Sequence, residues 1–343
     1  MLLPLADGGD GSVEAAIASG FASIDVEVPD ALGRPHRASI ALRDDAAVVE
    51  VANTCGLAIT PERGREVAIS ASSEGLGIAA HHAISLGARR LVLGLGGSVS
   101  TDAGTGFLVG LGARLLDSSG SALRPGAGSL HELADIDLSG ISLPSGIELV
   151  AATDVRAPLT GRAGAAHVFG RQKGADTADL DWFDRGLEHA AHVISKATGR
   201  TCSTTVAGTG SAGGIGFAVA ALGGEIVSGA DYFLDLVGFD DHLHRCDIVV
   251  TGEGAVDRQT LLGKLPSVVA GRSSSRPVHL VVGRNLLEPG TQSPFTSIRA
   301  IADLTDQDSS GDPALTQRFL QVIGERIGIV TKVEQTIAPG SRW

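Results

Sequence analysis

The sequence predicts an α/β protein with a parallel-sheet part and a second, mixed α+β part, and three observations predict it. Several short apolar runs end in Gly or Asp and pass directly into helical patterning, which is how parallel strands buried on both faces read, with functional loops at their carboxyl ends. Residues 23–52 instead alternate apolar and polar, the mark of antiparallel strands. At 343 residues, 43% of them hydrophobic, the chain is long enough for two cores.

Taken in order, the first element is a loop. Residues 4–12 read Pro-Leu-Ala-Asp-Gly-Gly-Asp-Gly-Ser, followed by Val13, Ala16 and Ile17 at helical spacing. A strand and a crossover helix usually precede such a loop, so the front of the fold is expected to be missing. Ile24–Val28 and Ala47–Val51 are the alternating strands, with Gly33-Arg34-Pro35 between them. Leu91–Leu95 leads into Gly96-Gly97-Ser98, and a helix bearing Phe107, Leu111 and Leu115 is expected after Thr101 or Asp102. Glu148–Ala152 leads into Thr153-Asp154. Leu180, Phe183, Leu187, Ala191 and Ile194 form one apolar helical stripe after a cap at Asp176 or Thr177. Asp247–Thr251 and Val278–Val282 are two further buried strands, and a last helix covers roughly 313–327.

Composition narrows the function classes. A net charge of −12 argues against a nucleic-acid partner, which needs a basic face. It leaves room for ATP, which backbone N–H groups, a few cations and a metal hold locally. No apolar run reaches the roughly 18 residues of a membrane span, and no signal peptide is expected. Cys55, Cys202 and Cys246 lack metal or redox spacing, so reduced thiols and a cytoplasmic setting are expected. Glycine is abundant, 47 residues without a collagen period, which points to tight turns and close backbone approach.

Five segments carry candidate chemistry. Asp7-Gly8-Gly9-Asp10-Gly11-Ser12 reads as a phosphate or metal loop, or as a tight turn capped by Ser12. Gly96-Gly97-Ser98 with Thr101-Asp102 offers backbone N–H groups to an anion, or close helix–sheet packing. Asp154 ends a strand, where metal ligands and general bases sit, and Lys173 in Phe169-Gly170-Arg171-Gln172-Lys173-Gly174 could neutralise a phosphate or carboxylate. Thr251-Gly252-Glu253-Gly254 with Asp257 and Lys264 suits Mg²⁺ and nucleotide phosphates, although Gly263-Lys264 is not a Walker A motif. Gly208-x-Gly210-x-x-Gly213 matches the dinucleotide fingerprint formally, but no convincing strand precedes it. Gly213-Gly214-Ile215-Gly216 reads better as a helix entrance. The histidines lack partners at metal-ligand spacing.

Taken together, these segments resemble the type I glycerate kinases. The resemblance rests on Pro4–Gly11; Gly94–Ser98 with Thr101-Asp102-x-Gly104-x-Gly106; Phe169-Gly170-x-Gln172-Lys173-Gly174-Ala175; Gly210-x-Ala212-Gly213-Gly214-x-Gly216; and Val250–Gly254 with Asp257, Gln259-Thr260 and Gly263-Lys264-x-Pro266. It implies transfer of the ATP γ-phosphoryl group to a hydroxyl of D-glycerate with Mg²⁺. The fold it implies is a discontinuous flavodoxin-like domain, here 1–22 plus 245–343, with a mixed-sheet domain, 23–244, inserted into it and the active site in the cleft. The chain departs from the family in three places. The family's first strand and Asp-Ser-Phe-Lys-Gly type loop have no counterpart. Arg156 and Ala157 replace an acidic and an amide residue after Asp154. Glu74 stands where an aromatic is usual.

The roles expected from the resemblance follow. The Gly96-Gly97-Ser98 loop and the Gly213-Gly214 entrance cradle phosphates, with Gly8, Gly9, Thr101 and Gly252 among the binding residues. Lys264 offsets triphosphate charge, and Glu253 or Asp257 holds Mg²⁺. Asp102 or Asp154 takes the hydroxyl proton, Asp7 lines the same cleft, and Lys173 meets the glycerate carboxylate. The partners expected are ATP and glycerate, with the chain a monomer or homodimer. A truncated, non-catalytic relative and an NAD-linked dehydrogenase are the alternatives.

Overall fold

The computed structural model describes residues 1–273 and 275–337, and side chains through residue 328. The chain forms two compact units, Met1–Val237 and Gly238–Trp343.

The first unit is built on a six-stranded mixed sheet in the order β1-β2-β3-β4-β7-β8. Its strands are β1 (Ala22–Pro29), β2 (Pro35–Arg43), β3 (Ala46–Glu50), β4 (Arg90–Gly94), β7 (Glu148–Ala152) and β8 (Glu225–Val227); β5 (Arg114–Leu116) and β6 (Asp135–Asp137) form a separate two-stranded ribbon. β1, β2 and β3 pair antiparallel, while β3, β4, β7 and β8 run parallel. The alternation at 23–52 follows from this: Val26 and Val28 face the core while Glu27 faces water. β4 and β7 are buried on both faces after their first residue, so they read as continuous apolar runs.

Side-chain parity sorts the two faces. Leu91, Leu93, Leu149 and Ala151 pack with helices Glu74–Ser85, Leu180–Thr198 and Ile215–Ala221. Val48, Val92, Val150 and Ala152 point the other way, onto Val13, Ala15 and Ala16 of helix Ser12–Ala18 and Phe233 of helix Gly229–Leu236. The unit is therefore a three-layer α/β/α stack. The placement of residues 1–22 differs from the expected division, which grouped them with 245–343. The apolar side of helix Ser12–Ala18 covers a sheet face that would otherwise be exposed.

Two expected helices show what periodicity can and cannot do. The stripe Leu180, Phe183, Leu187, Ala191 and Ile194 is buried throughout, on a helix that ends at Gly199 in the left-handed conformation (φ 67°). The helix expected to carry Phe107, Leu111 and Leu115 is short, Thr105–Gly110, and Leu115 lies in β5. Gly112, with φ 116°, turns the chain between them.

The second unit holds a parallel three-stranded sheet in the order β11-β10-β9, made of β9 (Val249–Val256), β10 (Val278–Asn285) and β11 (Ser297–Ala300). Val256, Val278, Leu280, Val282 and Ala300 form its core with Ala270 of helix Leu265–Arg272. Ile323 and Ile327, on helix Pro313–Ile337, pack with Ile301. The last helix thus starts where expected and runs further. Among the described residues, no helix is long and apolar enough to cross a membrane.

Candidate active site

In the first unit the carboxyl ends of β3, β4, β7 and β8 converge with the loop before helix Ser12–Ala18. The approach is close enough to require glycine. A β-carbon at Gly8 would lie 2.2 Å from the Ala152 carbonyl oxygen, and one at Gly96 would lie 2.3 Å from the Gly9 Cα. The Gly96 N–H donates to the Gly8 carbonyl (2.8 Å), and the Leu95 N–H to that of Ala152 (3.2 Å). Asp7, half-buried, accepts the Gly9 N–H at 3.0 Å. The 7–11 loop thus lies directly on the strand ends of the first unit, whereas the expected division grouped it with 245–343.

Asp154, half-buried just beyond β7, is positioned by residues far away in sequence. Its Oδ1 accepts the Ala230 N–H (3.2 Å) and the Ser228 hydroxyl (3.3 Å). Its Oδ2 is buried without a hydrogen-bond partner among the described residues. Burial raises its pKa to about 6, and the nearby charge of Asp7 pushes the same way against the Ala230 hydrogen bond. This is a half-buried carboxylate with one oxygen held by donors and the other without a partner among the described residues.

Asp102 is different. It is completely buried, and its carboxylate accepts from the Ser73 N–H (2.8 Å), the Ser73 hydroxyl (2.8 Å), the Gly106 N–H (3.2 Å) and the Gly104 N–H (3.1 Å). These bonds tie the amino ends of helices Glu74–Ser85 and Thr105–Gly110 together. Burial raises its pKa while the Ser73, Gly104 and Gly106 donors oppose the rise. With four donors and no exposed surface, Asp102 ties these two helix starts together from inside.

Lys173 is likewise buried, 3% exposed, rather than a free cation. Its Nζ donates to Ser98 Oγ (2.7 Å) and the Ser100 carbonyl (2.6 Å). Burial lowers its pKa to about 8, opposed by Asp102 and Cys55. It supports the Ser98–Ser100 loop from inside and cannot reach a carboxylate in solvent. Ser98 and Thr101 are buried, while Gly97 is exposed. The thiol of Cys55, pushed up to about 12 by burial, is no nucleophile.

Gly213 and Gly214 are buried at positions of close backbone packing. A β-carbon at Gly213 would lie 2.1 Å from the Ser100 carbonyl oxygen, and one at Gly214 would lie 2.5 Å from the Ala103 Cα. Residues 201–205 form no strand, so the Gly208 motif lacks the βα setting of a dinucleotide site.

The second unit holds the other expected residues. Glu253, on β9, has a buried Oε1 without a partner among the described residues, and burial raises its pKa. Asp257 accepts the Gln259 N–H (2.8 Å) and the Thr260 N–H (3.1 Å) through Oδ1, closing a turn, which holds its pKa down. Lys264 is exposed at the start of helix Leu265–Arg272. Gly252 lies against β10, where a β-carbon would come 2.7 Å from the Val281 carbonyl oxygen. A cavity of about 1410 Å³ inside this unit is lined by Glu253, Gly252 and Arg284 as well as apolar Val250, Ile301 and Leu320.

Among the described residues no cluster of three or more His, Cys, Asp or Glu could hold a metal. Mg²⁺ needs only one or two carboxylates when phosphates and water complete its shell, and the unpaired Oε1 of Glu253 fits that demand. Asp257 fits less well because its Oδ1 is already engaged in the turn.

Sequence reasoning did not single out Glu50. It ends β3, is 1% exposed, and accepts the Val13 N–H through Oε2 (2.9 Å). An acid closing the apolar run Ala47-Val48-Val49 was the available signal. Ser228 and Ala230 were also missed, because only the fold brings them to Asp154.

Comparison with known proteins identifies the family. The family model described as the glycerate kinase family matches residues 1–329. The chain is 40% identical over 284 residues to a glycerate kinase of Bacillus subtilis (strain 168), covering 81% of this chain and 74% of that one. It is 38% identical over 289 residues to a glycerate 2-kinase of Escherichia coli (strain K12), covering 82% and 75%. A crystal structure from Salmonella typhimurium LT2, assigned as glycerate kinase 2, superposes with a TM-score of 0.81 at 32% identity, covering 98% of this chain and 89% of that one. The match over nearly the whole chain replaces the dehydrogenase alternative, and the chain belongs to the glycerate kinase family.

Proposed function

We propose that this chain transfers the γ-phosphoryl group of ATP to a hydroxyl of D-glycerate. Family membership and the similar kinases support the reaction class. The observation that carries the chemistry is Asp154, with Oδ1 fixed by Ala230 and Ser228 and Oδ2 buried without a partner.

Phosphoryl transfer asks a protein chiefly for positioning, charge neutralisation and a group to take the hydroxyl proton. The half-buried Asp154 carboxylate takes that proton. Its pKa of about 6 leaves it mostly ionised at neutral pH yet more basic than an ordinary aspartate. Asp7 helps set this basicity through its charge. In the second unit, Glu253 would hold Mg²⁺, and the exposed Lys264 would offset nucleotide phosphate charge. Bound Mg²⁺ neutralises phosphate charge. Asp102 and Lys173 act from beneath, the first holding two helix starts and the second the 98–100 loop.

The test is coupled ADP release with ATP, Mg²⁺ and D-glycerate. The native chain turns over, and Asp154→Asn loses roughly 10²-fold or more in kcat. Near-native kcat in Asp154→Asn would remove Asp154 as the base. Absence of turnover in the native chain would favour another acceptor or a non-catalytic relative.

A further inference from the structure

Helix Ser12–Ala18 lacks an ordinary cap. Its N-cap position is Gly11, at φ 91°, with no side-chain cap hydrogen bond. An acceptor for its first N–H groups comes instead from a residue 37 positions away, as Glu50 Oε2 accepts the Val13 N–H at 2.9 Å. Glu50 is paired in register with Gly94 at the end of β4, and Gly94 is where the 8–12 loop comes down on the sheet. A β-carbon there would lie 3.0 Å from the Gly8 carbonyl oxygen, 3.1 Å from Ser12 Oγ and 3.2 Å from the Glu50 Cβ. Ser12 Oγ in turn donates to the Gly9 carbonyl (2.7 Å).

The same loop carries Asp7, whose backbone carbonyl packs against Gly229, next to Ala230, the residue whose N–H donates to Asp154 Oδ1 at 3.2 Å. We infer that Glu50 is a positioning residue: by supplying the missing cap of helix Ser12–Ala18, it clamps the 7–11 loop to β3 and β4 and so holds Asp7 beside Asp154. Glu50 touches no substrate in this role and acts through the loop. Its Oε1 is buried without a partner among the described residues, so a buried carboxyl is retained here at a cost that packing alone does not explain. The charged groups facing it, Asp10 and Glu14, both belong to the loop and helix it caps and are both acidic.

The consequence for catalysis rests on the kinase reading, so the experiment separates the two. The Asp154 carboxyl is titrated by NMR in the ligand-free native chain, assigned with Asp154→Asn, and compared in Asp7→Asn, Glu50→Ala and Glu50→Gln. Asp7→Asn lowers the Asp154 midpoint by removing the like charge. Glu50→Ala shifts it in the same direction and reduces kcat by about 10-fold. Glu50→Gln, which keeps an acceptor for Val13, retains both values near the native ones. If Glu50→Ala does not fold, Glu50→Asp, shorter by one methylene, is read in the same way. A native Asp154 midpoint in folded Glu50→Ala overturns the positioning role whatever the turnover shows. Absence of glycerate phosphorylation by the native chain overturns the kinase reading and leaves the NMR result to stand or fall alone.

Discussion

Asp102 accepts both the amide and the hydroxyl of Ser73, each at 2.8 Å, across 29 residues of sequence. The Ser73 hydroxyl in turn accepts the Phe107 N–H at 2.9 Å, so the two residues join the starts of two helices in one buried network. A fully satisfied network of this kind is costly to break, because each orphaned group stays buried. Asp102→Ala is expected to lower stability by about 3–5 kcal/mol, and Ser73→Ala by about 1–3 kcal/mol. Urea unfolding checks both. A cost below about 1 kcal/mol for Asp102→Ala would return Asp102 to the list of candidate bases.

Gly213 and Gly97 both have positive φ, 68° and 75°, yet they differ in what surrounds them. A β-carbon at Gly213 would meet the Ser100 carbonyl oxygen at 2.1 Å, whereas at Gly97 its nearest contact is the Ala52 Cβ at 3.6 Å. Gly97→Ala should therefore cost about 1–2 kcal/mol, the left-handed backbone penalty alone. Gly213→Ala should cost about 3 kcal/mol or more, since buried backbone must move. Thermal denaturation of the two variants tests the ranking.

Glu50 should make stability depend on pH. Burial raises its folded pKa from 4.5 to about 7, opposed by the Val13 hydrogen bond. Between those values the native state holds a proton that the unfolded chain releases. The stabilisation is thus complete below about pH 4.5 and lost as pH rises through 7. The loss is on the order of 2–3 kcal/mol. Glu50→Gln should flatten this slope, so that its stability relative to the native chain improves at pH 8. Equal slopes in denaturant titrations at pH 5, 6, 7 and 8 would show that Glu50 titrates normally.

Among the described residues of the second unit, Glu253 Oε1 is a buried acceptor without a partner, and the proposed function gives it to Mg²⁺. Glu253→Gln, with one charge fewer, is expected to raise the Mg²⁺ concentration needed for half-maximal rate by about 10-fold. The KM for glycerate should change little. Asp257→Asn should show mainly a loss of stability, because its carboxylate closes the Gln259–Thr260 turn. Identical Mg²⁺ dependence in native and Glu253→Gln proteins would move the metal ligand elsewhere.

The sequence by itself determined the two kinds of sheet, the strands ending in Gly or Asp, the buried stripe from Leu180 to Ile194, and the family, because periodicity and loop chemistry are local and leave their mark residue by residue. It also brought Asp154 forward by its place at a strand end and Asp7 by its glycine-rich loop at a helix start. Only the tertiary structure distinguishes the surroundings of Asp154 from those of Asp102. Both stand in similar short loops after strands, and what separates them is which donors arrive from elsewhere: Ser73 and the Gly104 and Gly106 amides saturate one, while Ala230, 76 residues away, holds a single oxygen of the other. Burial did the same for Lys173, turning an expected substrate cation into an internal support. It also singled out Glu50, whose partner Val13 lies on a helix that no local pattern connects to β3. Local sequence specifies which groups a loop can offer, and the packing of distant segments decides which of them remain free to react.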